Sequence, residues 1–136
     1  MSYGMAAALQ TAVYGALAGD AALSAAVGGA VFDAAPSGAA PALYVMLGAE
    51  DVRERNDATG HGARHDFVVS VVTDVAGFHS AKAAAVLVSD ILQDADLPLT
   101  RGRLVSLDFL RARARRTEQG TRRQIDLRFR ARVEDD

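Results

Sequence analysis

The chain has 136 residues, half of them apolar, with no cysteine and no tryptophan; that is the size of one domain around one core, and two domains would each have too little to bury. The missing cysteine excludes disulfide scaffolds, zinc-thiolate sites and thiol nucleophiles, and no run approaches the ~20 apolar residues of a membrane-spanning helix. The net charge of −2 hides a division: residues 1–100 carry four basic and eleven acidic side chains, residues 101–132 carry eleven arginines against three acids, and Glu134, Asp135 and Asp136 follow.

Such asymmetry suits a surface that meets a charged partner or a second copy of the same chain. The 28 alanines, against five Phe and three Tyr, predict slim, closely packed helices over a Val, Leu and Ala core. Met1 to Leu17 lacks the basic start and cleavage pattern of a signal peptide, so synthesis and residence in the cytoplasm are expected.

In chain order, Met5, Leu9, Val13, Ala16 and Leu17 recur at helical spacing and predict a helix from Tyr3 to Ala18, ended by a left-handed Gly19. Asp20 is placed to cap a second, short helix over Ala21–Val27, which Gly28-Gly29 ends. Ala30 to Asp33 can form a short strand, and Pro36 and Pro41 bound a loop. Leu43 to Leu47 reads as a buried strand, and Ala49 to Gly62, polar and without periodicity, as a long loop.

Phe67, Val69, Val71, Thr73 and Val75 give the next strand one apolar face, and Phe78, Ala81, Ala85, Val88 and Leu92 predict a helix over residues 78–94. Arg123 to Glu134 alternates strictly, with Ile125, Leu127, Phe129, Ala131 and Val133 opposite Gln124, Asp126, Arg128, Arg130 and Arg132. Before it, Val105, Leu107 and Phe109 share one parity and Leu110, Ala112 and Ala114 the other, a slip that a β-bulge at Phe109-Leu110 would repair. A turn at Glu118-Gln119-Gly120-Thr121 makes the two segments a hairpin. The expected architecture is α+β: one domain over residues 1–136, with an antiparallel sheet of about four strands and two or three helices on one face.

Catalytic parts are missing. No serine sits in a nucleophile elbow, and Gly28-Gly29 and Ser37-Gly38 lack the ending of a phosphate loop. His61 and His65, four apart in an extended segment, would lie ~13 Å from each other, too far for one ion, so the three histidines read as ordinary surface residues. No enzymatic activity, metal or cofactor is expected.

The arginines carry the signal. Arg111, Arg113 and Arg115 share one face of the first hairpin strand, Arg128 and Arg130 lie on one face of the second, Arg116, Arg122 and Arg123 flank the tip, and Arg53 and Arg55 sit in the polar loop. This set could meet phosphates, but no aromatic residue is interleaved for base stacking, and guanidinium groups pair equally well with carboxylates across a protein interface. The interface is the preferred reading, and a small nucleic-acid-binding module the alternative.

The order of pieces resembles a known family. The alanine-rich first helix, Val27-Gly28-Gly29-Ala30-Val31-Phe32-Asp33, Pro36, the run from Pro41 to Gly48 (PALYVMLG), a strand after His65, a helix around Ala83 to Leu92 and the closing Arg128 to Glu134 (RFRARVE) are similar to the tail-completion, or tail terminator, proteins of long-tailed phages. The versions in gene transfer agents of alphaproteobacteria are the closest in pattern. The resemblance implies a structural protein of the virion or gene transfer agent tail that forms a homohexameric ring at the tube's head-proximal end. Such a ring stops tube polymerisation, meets the tail tube protein on one side and the head-completion or stopper protein on the other, and lets DNA pass through its channel. The family brings no catalytic residue and no cofactor. Another tail or connector ring subunit is a further alternative.

Overall fold

The closing segment of strict alternation becomes the middle of the structure. In the computed structural model, which describes residues 3–56, 61–117 and 121–136, this strand (β5, Arg122–Glu134) lies between β3 (Gly62–Thr73) and β4 (Arg103–Thr117). Outside β3 come β2 (Leu43–Glu54) and a two-residue β1 (Val31–Phe32), giving the order β1-β2-β3-β5-β4. All neighbours are antiparallel except β1 with β2, which are parallel. The fold is α+β as expected, with five strands instead of four.

Three helices, α1 (Ala6–Ala18), α2 (Ala21–Val27) and α3 (His79–Leu92), cover one face of this sheet. Leu9, Val13 and Leu17 from α1, Leu23 from α2, and Val88 and Leu92 from α3 are buried in one core with Val45, Val69, Val71, Leu127 and Phe129 from the strands. Small residues on α3, Ala81, Ala84 and Ala85, let that helix approach the sheet closely. Phe129, fully buried, stacks on Phe67 at 5.7 Å and meets the edge of Phe109 at 5.8 Å between ring centroids, an aromatic trio that ties β3, β5 and β4 together.

Local signals act largely as the sequence implies. The Asp20 carboxylate accepts the Leu23 N–H at 2.9 Å, and Gly28 closes α2 in the left-handed conformation at φ 61°. Gly19 differs: it stays right-handed at φ −86°, and α1 ends because Asp20 turns extended to serve as the next cap. The first helix also starts at Ala6, after a turn, instead of at Tyr3, and the third spans His79–Leu92 within the predicted 78–94. The expected bulge is present as a register shift between Phe109 and Arg111, with a second between Leu104 and Ser106. It keeps Ala112 opposite Leu127 and Ala114 opposite Ile125 on the helix side.

The expected long loop over 49–62 is overturned. β2 continues to Glu54 and pairs with β3 as far as Glu54 opposite Ala63, after a register shift between Leu47 and Glu50. Gly48 to Glu54 is almost wholly exposed on both faces, so no alternation of apolar and polar residues marks it as a strand. Gly62 is required where this hairpin closes, since a Cβ there would lie 2.6 Å from the Arg55 carbonyl oxygen. Residues 57–60 of the expected loop, and Glu118, Gln119 and Gly120 of the expected hairpin turn, lie outside the described residues.

The central position of Phe129 sets a prediction. Phe129→Ala is expected to lower unfolding stability by ~3–5 kcal/mol, whereas Val86→Ala, on an exposed part of α3, should change it by less than ~0.5 kcal/mol. Urea unfolding of both variants checks this; similar losses would show that the aromatic trio is not the centre of the core.

Candidate assembly interface

The face of the sheet away from the helices is where the charge lies. Strand alternation puts Asp66, Val68 and Ser70 of β3 opposite Arg130, Arg128 and Asp126 of β5, and Arg111 and Arg113 of β4 opposite Arg128 and Asp126. Met46 and Gly48 of β2 reach the same side. Together they form an open trough of about 380 Å³ walled by Arg111, Arg113, Arg115 and Arg128.

Part of this charge is neutralised within the chain. Arg130 donates two hydrogen bonds to the Asp66 carboxylate, at 2.9 and 3.0 Å, a bidentate pair of the stronger kind. That bond from Arg130, helped by the Arg64 and Arg128 charges and outweighing the effect of burial, holds the Asp66 carboxyl below its usual range. Burial raises Asp126 most strongly, but it is overcome by hydrogen bonds from Gln124 and Ser70, both at 2.7 Å, and from Arg115 at 3.0 Å, so its carboxyl also lies below the usual range.

Arg111, Arg113 and Arg128, in contrast, form no salt bridge among the described residues. Three guanidinium groups on one sheet face, two of them on exposed residues, have the chemistry to take carboxylates or phosphates from outside.

The other candidate arginines do other things. Arg123 lies on the helix side with its guanidinium 5.6 Å from the centre of the Phe78 ring, a cation–π contact that fastens the start of α3 to the hairpin. Arg116, opposite Arg123, is exposed, and Arg122 lies opposite Thr117 near the tip. Arg53 pairs with Asp51 at 3.4 Å on exposed β2, and Arg55 follows beyond its end. Two strands, β3 and β5, separate this pair from β4, so the structure does not bring Arg53 and Arg55 together with the β4 arginines; Arg55 instead lines a small pocket with Arg132 of β5.

His65 corrects another expectation. It is not a surface residue: its parity with Phe67 puts it on the helix side, fully buried, with Nδ1 3.2 Å from the Glu50 carboxylate, which also accepts the Tyr3 hydroxyl at 3.2 Å. That shared parity was visible in the sequence, but the Glu50 partner depends on the hidden strand pairing of 48–54. No cluster of three metal-ligating residues occurs among the described residues, and no described helix is long and apolar enough to cross a membrane.

The sheet thus has one face sealed by helices and the other carrying guanidinium groups that form no salt bridge among the described residues. The chain belongs to the tail completion protein gp17 family, whose model matches residues 11–134. It is accordingly a virion structural protein of the tail. It is similar to a chain in the solved structure of the virion of a native gene transfer agent particle, with 62% identity over 98% of this chain and 99% of that one and a TM-score of 0.92. No curated protein matches the chain at the same stringency.

The carboxylate network makes acid stability testable. Asp66 is less easily protonated in the folded chain than in the unfolded one, so its contribution is complete above the ordinary carboxyl value near ~3.9 and is lost as pH falls below that through the lowered folded value. Asp66→Asn should therefore be less stable than the parent at pH 7 and lose less on acidification from pH 5 to 2, as thermal melts across that range would show. Parallel acid limbs in both proteins would remove Asp66 from the account.

Proposed function

We propose that this chain is a tail terminator: copies assemble into a ring, hexameric as the family resemblance implies, on the head-proximal end of the tail tube. The ring stops tube polymerisation and offers its other face to the head-completion or stopper protein, with DNA passing through the channel. The observation that carries the proposal is the family match over residues 11–134 combined with the 62% identity to a chain of a gene transfer agent virion. Charge distribution supports it, since a head-to-tail ring needs two different and complementary surfaces on every subunit. Arg111, Arg113 and Arg128 are the proposed contact residues on the cationic side.

The same unpaired arginines favour one alternative, a module that binds nucleic acid through the trough. Duplex DNA titrated at two salt concentrations separates the two readings, because a phosphate binder weakens steeply as salt rises, whereas the terminator is expected to show no tight binding at either. The direct test is electron microscopy of particles from a strain lacking this gene. Overlong or headless tails beside full, unjoined heads are expected; normal tailed particles would refute the terminator role.

A further inference from the structure

The sheet has two free edges, and they differ in a matching way. On one side β4 is the terminal strand. Its first half is covered, because the Asp94 N–H donates to the Leu107 carbonyl at 2.9 Å and the Gln93 side chain accepts the Phe109 N–H at 2.8 Å. From Leu110 to Thr117 the outer edge has no backbone partner among the described residues. On the other side, β1 pairs with Val45 and Met46 of β2, and from Leu47 to Glu54 the outer edge of β2 is again unpaired among the described residues. Both segments are exposed on both faces almost throughout.

Long unpaired edges are a hazard for a chain that works alone. Here their charges sort the pairings. Leu110–Thr117 carries Arg111, Arg113, Arg115 and Arg116 and no acid, so two copies of this edge repel each other; Leu47–Glu54 carries Glu50, Asp51 and Glu54 against Arg53. Like meets like at a cost, and the basic edge meets the acidic edge at a gain.

Direction and side-chain parity agree. Because β2, β3, β5 and β4 are antiparallel in succession, β4 runs opposite to β2. Rotation about an axis roughly along the strands preserves those directions, so β4 of one copy meets β2 of the next as an antiparallel pair. On the open face Asp51 then faces one of the arginines at 111, 113 and 115. On the helix face Val52 faces Leu110, Ala112 or Ala114, beside the apolar groove that Val86 and Ala85 of α3 form with Ala112 and Ala114.

We propose that Leu110–Thr117 of one copy adds as a strand to Leu47–Glu54 of the next, so that subunits of the ring share one continuous sheet. This rests on the ring reading above and names the surfaces that form it. The chain has no native cysteine, so engineered pairs report without background. Residues directly opposite in an antiparallel pair have Cα atoms ~4.5–5.5 Å apart, within disulfide range. Val52→Cys should be combined with Leu110→Cys, Ala112→Cys or Ala114→Cys, and particles carrying each variant oxidised and run on a non-reducing gel.

One of the three pairs is expected to give a ladder of linked chains ending at the ring number, with the single variants giving none. Particles that contain a ring of this chain yet show no ladder with any pair would overturn the shared sheet and leave the ring. Particles with no ring of this chain would overturn both. Should the cysteine variants fail to assemble, backbone hydrogen exchange on the assembled parent decides. The amides over 110–117 that point away from β5 are the ones that report: exchange as slow as in the central strand is expected of them, and exchange as fast as in exposed loops would overturn the proposal.

Discussion

Everything in this structure depends on the two-sidedness of β5. A strand with Ile125, Leu127, Phe129, Ala131 and Val133 on one face and charged or polar residues on the other can only be stable between two neighbours and under a helical layer. β3 and β4 supply the neighbours, and the alanine-rich helices supply a layer thin enough to sit close. Once Phe129 is fixed between Phe67 and Phe109, the position of every charged residue on the open face follows from register. The arginines are thus displayed by the hydrophobic core: moving β5 by one residue would bury Arg128 and Arg130 and expose Leu127 and Phe129.

The open face divides its charge between internal and external uses. Arg130 is held to Asp66, and Asp126 gathers Ser70, Gln124 and Arg115, bonds that fix the pairing of β3 with β5 and of β5 with β4 from the side opposite the core. Arg111, Arg113 and Arg128 are left over. Exposed ion pairs contribute little to the stability of a single chain, so the meaning of these leftover arginines lies in what they can meet. In the proposed ring, that would be a neighbouring subunit or another protein of the junction.

Much of this was legible before the structure. β5 was plain because one of its faces is buried and the other solvated, which is the condition under which alternation appears. The Phe109-Leu110 slip and the Asp20 cap were legible for a similar reason: each is a local response to a local need. What the sequence hid was whatever depends on distant pairing. Gly48 to Glu54 looks like a loop because a strand exposed on both faces has no reason to alternate, and only its pairing with residues 63–67 reveals it. The two residues of β1 are too few to carry a pattern. Asp66 and Arg130, 64 positions apart, could not be matched until register was known. His65, on the apolar parity of its strand, was the one misplacement that local periodicity could have prevented.

The central claim is that this chain closes the head-proximal end of the tail as a ring built by the face and edges described above. A cryo-electron microscopy reconstruction of the head–tail junction in intact particles tests it most directly. The account predicts one ring of this chain between the last layer of the tube and the head-side proteins, with the β4 side of each subunit against its neighbour. Density for this chain repeated along the tube, or found at the far tip of the tail, would contradict it.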